Sequence, residues 1–405
     1  MQIYQPAEDS YLLQKFVKKY SLGRVLDLGT GSGIQALTAA GSPLVKEILA
    51  ADINPEALEK LNQEIKQKKI RKIKTIFSDL FSAVEGKFDT IIFNPPYLPQ
   101  DKIGKELIED PALYGGKKGW ELSARFFQEV SNFLVPNGKI LFLFSSLTNK
   151  PKIDEIITHH LLEFKLLAQE RLPLFEELYV YLIEKSKVLK ELERKGIEEI
   201  QYLSHGRRGN IFTGIQDRSK LIKTHFPSKK DLIKVAIKIK RKESQAPERI
   251  ENEAKWLKIL NQKGIGPKFI FSGEDFLVYE FIQGTFFPDW IKDQPKKEIK
   301  RVLSILLEQC YLLDQLGLNK EEMHRPLKHI LIDKNNFPVM IDFERCTKTK
   351  KPHNLTQFLE FISRIKSELE KKDFQINPDQ LRAVAKIYKM KIAPETFKSL
   401  LAQIN

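Results

Sequence analysis

Apolar residues in the first 186 positions come in short bursts separated by amphipathic stretches. The bursts Arg24–Leu28, Glu47–Asp52, Ile73–Phe77, Phe88–Phe93, Lys139–Phe144 and Leu178–Ile183 are too short for helices and read as strands. Residues 33–40, 54–67 and 121–134 carry helical spacing between them. Strands alternating with helices predict an α/β fold with a parallel-rich sheet covered on both faces. Sheets of this kind bind ligands at the carboxyl ends of their strands, so the residues after each burst hold the candidate chemistry.

The rhythm changes after 186. Residues 187–200 open on a charged, helix-compatible run and read as a linker. Beyond it, Val235–Lys238, Phe276–Phe281 and Val339–Glu344 look like strands, Glu248–Leu260 like a helix, and the tail 354–405 has helical periodicity. The expected organisation is one domain over 1–186 and a second, α+β, over 201–405. Charge follows the same division. Residues 1–186 sum to zero, the remainder carries the whole +14, and 201–268 alone holds +11. That basic block could face RNA such as tRNA, a ribosome, an acidic protein surface or nucleotide phosphates, although on charge alone a solvated lysine-rich surface is the better reading.

Composition excludes several classes. At 42% hydrophobic and 10% aromatic the chain can bury real cores. No apolar run reaches membrane-spanning length, and no secretory leader is visible at Met1. The two cysteines, Cys310 and Cys346, cannot build a disulfide framework or a four-cysteine zinc site. The expected setting is cytoplasmic and reducing.

The first strand runs into Asp27-Leu28-Gly29-Thr30-Gly31-Ser32-Gly33. Such a turn lets backbone approach a ligand closely, but dinucleotide enzymes use a similar one. The following acids shift the balance. Asp52 ends the second strand, where a carboxylate can accept both ribose hydroxyls, and Asp79 follows the third, where it could accept from an adenine amino group. Three acids at successive strand ends disfavour a pyrophosphate and suit the sulfonium of S-adenosylmethionine.

The fourth strand ends in Asn94-Pro95-Pro96-Tyr97. The prolines stiffen the turn. The Asn94 side-chain oxygen and the Pro95 carbonyl can then accept both hydrogens of one NH2 group, while the Tyr97 ring packs on its plane. An amide or an exocyclic base amine fits this. Catalysis there is mostly positioning for in-line attack on a methyl carbon.

Residues 1–186 resemble the HemK-type protein-glutamine methyltransferases, in particular their short archaeal and eukaryotic branch. The stretches that carry this are Tyr4 to Ser10, Asp27 to Gly33, Ala51 to Pro55, Asn94 to Tyr97 and Gly115 to Gly119. The resemblance implies a class I S-adenosylmethionine-dependent, Rossmann-like domain that methylates the glutamine amide in the Gly-Gly-Gln loop of a class I peptide-chain release factor. It places Asn94, Pro95 and Tyr97 on the glutamine, and Glu8, Asp27, Gly29, Gly31, Asp52, Asp79 and Asn94 around the cofactor. It also implies a small zinc-binding activator subunit.

The second half resembles RIO-type and related atypical protein kinases of archaea. Gly206 and Gly209 lie in a glycine-bearing basic turn. Val235-Ala236-Ile237-Lys238 matches the strand whose lysine holds ATP phosphates, and Glu253 its helix partner. Asp342, in Ile341-Asp342-Phe343-Glu344, matches the metal-binding Asp-Phe-Gly element with Glu344 in the glycine position. The resemblance implies ATP and Mg2+ as ligands, with Asp342 on the metal. The catalytic loop departs from the pattern. His324-Arg325-Pro326 could match His-Arg-Asp, with Pro326 where the catalytic Asp belongs, but counting back from Asp342 puts His329 in the metal-binding Asn position and His324 in that of the catalytic Asp, and this is preferred because His329 then directly precedes the apolar Ile330-Leu331-Ile332. The base position therefore holds no Asp, and nucleotide binding without phosphotransfer stands beside phosphotransfer that uses His324.

Two other functions remain on the sequence. One is an RNA or DNA exocyclic-amine methyltransferase whose basic block grips phosphates, which would bind with steep salt dependence. The other is an atypical serine/threonine kinase with a methyltransferase partner domain. The intact Asn94-Pro95-Pro96-Tyr97 weighs against treating the first half as a docking module.

Overall fold

The computed structural model describes residues 3–100, 114–205, 209–217, 231–240 and 249–402. The chain divides into two units, Met1–Arg194 and Lys195–Asn405.

The first unit is built on seven strands: β1 (Gly23–Leu28), β2 (Val45–Asp52), β3 (Ile73–Phe77), β4 (Phe88–Phe93), β5 (Leu134–Ser145), β6 (Leu162–Arg171) and β7 (Glu177–Lys185). Their order in the sheet is β3-β2-β1-β4-β5-β7-β6. The pairs from β3 through β5 are parallel, while β7 joins β5 and β6 antiparallel. Strand order reverses between β1 and β4, which opens a crevice above their carboxyl ends. The central strands are buried on both faces, with Val25, Leu26, Ile91, Ile92, Ile140 and Leu141 fully enclosed. That explains why they read as continuous apolar bursts rather than alternating ones.

Helices α1 (Glu8–Tyr20), α2 (Ile34–Ala40), α3 (Pro55–Gln67), α4 (Glu121–Phe133), α5 (Lys150–His159) and α6 (Lys187–Arg194) complete the unit. Helix α3 shows why they form where they do. The Asn54 side chain accepts from the Glu56 N–H at 3.1 Å, Pro55 supplies a preset first turn, and Ala57, Leu58 and Leu61 form the buried face. Residues 187–200, expected as a linker, instead form α6, which buries Leu189 and Leu192, and the start of the next strand. The charged run is amphipathic, and its leucines have a core to join.

The second unit begins with an antiparallel sheet of β8 (Ile197–His205), β9 (Gly209–Asp217), β10 (Leu232–Lys240), β11 (Phe269–Ser272) and β12 (Phe276–Glu280), in the order β8-β9-β10-β12-β11. Helix α7 (Arg249–Leu260) precedes β11 and buries Glu253 along with Ile250, Ala254 and Leu257. A small antiparallel sheet follows, made of β13 (Gly284–Phe286), β14 (Ile330–Asp333) and β15 (Pro338–Met340). Apart from a short antiparallel pairing of Leu318–Asn319 with Thr347–Lys348, the rest is mainly helical, with α8 (Lys296–Gln315), α9 (Asn354–Arg364), α10 (Pro378–Met390) and α11 (Pro394–Leu401) around a core that includes Leu303, Leu307, Phe358 and Tyr388. No described helix is long and apolar enough to cross a membrane.

Candidate functional site

A cavity of about 550 Å³ lies in the first unit over the carboxyl ends of β1 to β4, and its wall includes Asp27, Gly29, Gly31, Asp52, Asp79 and Asn94. The turn after β1 holds Gly29 at φ 64° and Gly31 at φ 52°, left-handed values that suit glycine. Two bonds fix this turn against the sheet. The Gly31 N–H donates to Asp52 Oδ2 at 2.7 Å, and the Thr30 N–H donates to the Ala51 carbonyl at 3.0 Å. Asp52 Oδ1 accepts from the Asn54 N–H at 2.8 Å, so both carboxylate oxygens are oriented by backbone and retain further lone pairs for a ligand.

Asp27 is enclosed. Its Oδ2 accepts from the Thr30 hydroxyl at 2.6 Å and from the Ala36 N–H at 2.9 Å, which ties the glycine turn to the start of α2. Burial pushes its pKa up to about 7, with these bonds opposing the rise and nearby Asp52 adding to it. Asp79 is exposed on the rim, where it meets Arg125 Nη2 of α4 at 2.9 Å. The sequence reading did not pick out Arg125.

Glu8 stands apart from the other predicted acids. It is the first residue of α1, is exposed, and does not line the cavity. The next residue takes the inward position. Asp9 is buried and accepts from the Tyr4 hydroxyl at 3.0 Å, the Ser10 N–H at 2.6 Å and Asn94 Nδ2 at 2.8 Å. One residue along a helix turns a side chain by about 100°, and in an Asp-after-Glu pair only that rotation decides which acid faces in.

The Asp9–Asn94 bond sets the chemistry of the site. A carboxylate can only accept here, so the Asn94 NH2 must point at Asp9 and its oxygen the other way. Asn94 Oδ1 is buried and has no hydrogen-bond partner among the described residues. An acceptor in that position is costly unless a donor arrives to meet it. Pro95 and Tyr97 line the same wall. Burial, then the negative charge of Asp9, raises the Tyr97 phenol well above the usual tyrosine range and keeps it neutral. Buried acids, a close-approach glycine turn and an orphaned acceptor fit an adenosyl sulfonium cofactor beside an NH2 donor.

The second unit brings together four residues singled out in the sequence. Lys238 Nζ, on β10, lies 2.7 Å from Glu253 Oε2 of α7, 3.1 Å from Asp342 Oδ1 and 3.0 Å from Glu344 Oε2. Burial alone would lower the Lys238 pKa, but the three carboxylates outweigh it and hold it well above the lysine range. Asp342 sits at φ 64°, and its own carbonyl accepts from buried Lys320 at 2.9 Å. His329 is half-buried, with Nε2 against Glu322 Oε2 and Nδ1 4.0 Å from Asp342 Oδ2. Burial, with Lys320 nearby, pushes its pKa down. His324 is exposed and takes no part in these bonds. Gly209 begins β9 opposite Lys240, and Gly206 lies outside the described residues. The sequence reading missed Lys320 and Glu322, which stand in the loop before β14 without a recognisable spacing.

The oxygens of Glu253, Asp342 and Glu344 come within 4.8 Å of one another, close enough for one cation. The Lys238 ammonium already touches all three. A cation there would share these carboxylates with the lysine, through oxygens of the kind that suit Mg2+.

Comparison with known proteins bears on the first unit. The Methyltransferase small domain family matches residues 8–171. A Methanocaldococcus jannaschii chain named as a protein N5-glutamine methyltransferase is 37% identical over 182 residues, 44% of this chain and 90% of that protein. The release factor glutamine methyltransferase of Deinococcus radiodurans is 33% identical over 136 residues, 32% of this chain and 49% of that protein. Among solved structures, the E. cuniculi Mtq2–Trm112 complex, described as responsible for methylation of the eRF1 translation termination factor, covers 46% of this chain and 100% of the matched chain at 25% identity, with a TM-score of 0.37. By its 37% identity over 90% of the archaeal relative, the chain belongs to the S-adenosylmethionine-dependent protein-glutamine N5-methyltransferases.

Proposed function

We propose that the first unit methylates the glutamine side-chain amide in the Gly-Gly-Gln loop of a class I peptide-chain release factor. The observation that carries this reading is the buried, unpartnered Asn94 Oδ1 at the cavity wall, with its orientation forced by Asp9. An amide NH2 entering the cavity donates to that oxygen, and the Tyr97 ring packs against the amide plane. Holding both the nitrogen and its lone pair in place converts a poor nucleophile into a positioned one. S-adenosylmethionine, when bound, supplies an electrophilic methyl group on a sulfonium. Asp52 would hold its ribose, Asp79 its adenine amino group, and the Gly29 to Gly31 turn its amino-acid end. No general base is needed before transfer, because the product amide loses its proton afterward.

The test is incubation of the chain with isotopically labelled S-adenosylmethionine, purified release factor, ribosomes and tRNA, followed by mass spectrometry. Label on the release-factor glutamine is the expected result. Label on a tRNA or rRNA base amine instead would replace this reading with the nucleic-acid one. The resemblance to the short archaeal and eukaryotic branch supports one further part of the proposal, a small zinc-binding activator subunit, and the cytoplasmic setting rests on the low cysteine content.

We infer that the second unit is a nucleotide-binding, kinase-like module. Its support is the sheet order with lysine on the third strand, and the meeting of Lys238, Glu253 and Asp342 from three separate segments. ATP phosphates would reach Lys238, with Asp342 toward the metal. Contact with ribosome or tRNA through the basic region 201–268 belongs to the same reading. Of that region, 206–208, 218–230 and 241–248 lie outside the described residues.

A further inference from the structure

We propose that Glu176 selects the methyl acceptor, its carboxylate accepting a hydrogen bond from a main-chain N–H of the substrate peptide at or beside the methylated glutamine. This rests on the release-factor reading of the same cavity and adds a specificity-determining residue to it. Glu176 lines the cavity, and its Oε1 is buried with no hydrogen-bond partner among the described residues. An enclosed carboxylate oxygen without a donor is costlier than the orphaned amide oxygen of Asn94, and it calls for a donor that arrives with a ligand. The backbone fixes the residue in place. The Leu172 N–H donates to the Glu176 carbonyl at 2.8 Å and closes the turn between β6 and β7, while the Glu177 N–H donates to Ser146 Oγ at 3.0 Å. Within that turn Phe175 has φ 64°, a left-handed value that a bulky residue adopts only under constraint.

Sheet order tells which ligand Glu176 faces. Asp27 ends β1, Asp52 ends β2 and Asp79 follows β3, all on one side of Asn94, whereas Glu176 leads into β7 on the other side. Ser145 at the end of β5 pairs with Leu178 at the start of β7, so Glu176 stands level with the carboxyl ends of the parallel strands. It therefore borders the acceptor half of the cavity rather than the cofactor half. Two strand spacings of about 4.8 Å each separate β7 from β4. A glutamine whose amide is held at Asn94 has its main chain one side-chain length away, and the Glu176 carboxylate reaches back over the same interval. Its charge also adds to the rise of the Tyr97 phenol, after burial, Asp9 and Tyr4, which sets it near the ring that packs on the amide. The chemistry of the visitor follows. A phosphodiester arriving there meets an uncompensated negative charge. A peptide main chain instead brings neutral N–H groups that need an acceptor once they leave water.

The experiment measures steady-state methylation of a purified release factor by the full chain and its variants with labelled S-adenosylmethionine. Glu176→Ala should raise KM for the release factor at least tenfold, with kcat and S-adenosylmethionine affinity changed less than threefold, the split expected of a contact made equally in the ground and transition states. Glu176→Gln keeps an accepting oxygen and the side-chain size, guards against misfolding, and should lose less than Glu176→Ala. The N–H is tested directly with release factors in which an ester linkage replaces the main-chain N–H of the glutamine or of either neighbour. One of the three should raise KM at least tenfold for the unaltered chain and leave KM of Glu176→Ala unchanged. An unaltered KM in Glu176→Ala, or esters that act equally on both enzymes, overturns the role of Glu176 and leaves the release-factor reading standing. A release factor that the unaltered chain leaves unlabelled overturns that reading, and the role of Glu176 with it.

Discussion

The two candidate sites handle buried charge in opposite ways. In the first unit the acids at the strand ends are oriented mainly by backbone N–H groups and by Thr30, and an acceptor on Asn94 is left over. In the second, Lys238 is surrounded by Glu253, Asp342 and Glu344, so the cluster is satisfied from within. A ligand entering the first cavity finds unused hydrogen-bonding capacity. A phosphate approaching Lys238 must compete with the carboxylates of Glu253, Asp342 and Glu344 already in place. The first arrangement is poised for a ligand and the second is closed by its own ion pairs.

The contrast breaks most visibly at Lys238. Removing one partner of a buried ion-pair cluster leaves the others uncompensated, at a cost of about 3–5 kcal/mol. Lys238→Ala should therefore lower the stability of the second unit by that amount in denaturant unfolding, and should weaken ATP binding. A loss below about 1 kcal/mol would show that the three carboxylates do not depend on the lysine.

The corresponding cut in the first unit should spare the fold and remove the chemistry. Asn94→Ala deletes an acceptor that has no protein partner, so its loss appears in turnover. A fall of about 10²–10³-fold in kcat is expected, the scale for losing one preorganised polar group at a reaction centre, with S-adenosylmethionine affinity changed less than threefold. Asp9→Ala should follow at roughly 10-fold to 100-fold, the worth of a charge-assisted bond, through loss of the orientation of Asn94. Turnover unchanged in both would dismiss the assigned geometry.

The sequence exposed these sites unevenly, and the reason is periodicity. Strands buried on both faces announce themselves as apolar bursts, so β1, β2, β4, β5 and β7 were legible, and β3, with only Ile73 buried, was legible because Ile73, Ile76 and Phe77 are apolar all the same. Strand β6 was not, because only Leu162 along it is buried and Glu163, Lys165, Glu170 and Arg171 interrupt any burst. Lys238, Glu253 and Asp342 were found because each sits in a local motif. Asp9, Arg125, Lys320 and Glu322 were missed because what matters is the direction each side chain takes after the chain has folded. Glu8 and Asp9 are chemically alike, and nothing in their order says which one the helix turns inward.

A smaller effect sharpens the comparison through pH. The Asp27 carboxyl keeps its proton up to about 7 in the fold, against an ordinary value of 3.8. Between those values the folded chain binds more protons than the unfolded one. Stability from this group is therefore fully present below 3.8 and is lost as pH rises through about 7, at no more than about 1.4 kcal/mol per pH unit. Asp27→Asn keeps an oxygen to accept from Thr30 and Ala36 but carries no titrating proton. The ligand-free variant should show a shallower decline in Tm between pH 4 and 8 than the unaltered chain. Parallel declines would mean that Asp27 is ionised throughout that range.

The smallest expected effect lies at Arg125, where the first site most resembles the second, since an acid there is paired with a cation. The resemblance is superficial. The Arg125 and Asp79 side chains are 55% and 48% exposed, so water screens both, and such pairs are worth at most about 1 kcal/mol. Arg125→Ala should leave Tm nearly unchanged and shift S-adenosylmethionine affinity by less than about threefold, with any shift vanishing at high salt. Asp79→Ala should cost about tenfold in the same calorimetric titration, because it removes an acceptor for the adenine amino group. If Arg125→Ala proves the more damaging of the two, the arginine holds the cofactor directly and Asp79 serves to place it. The rim of the first cavity would then share the ion-paired logic of the second unit rather than oppose it.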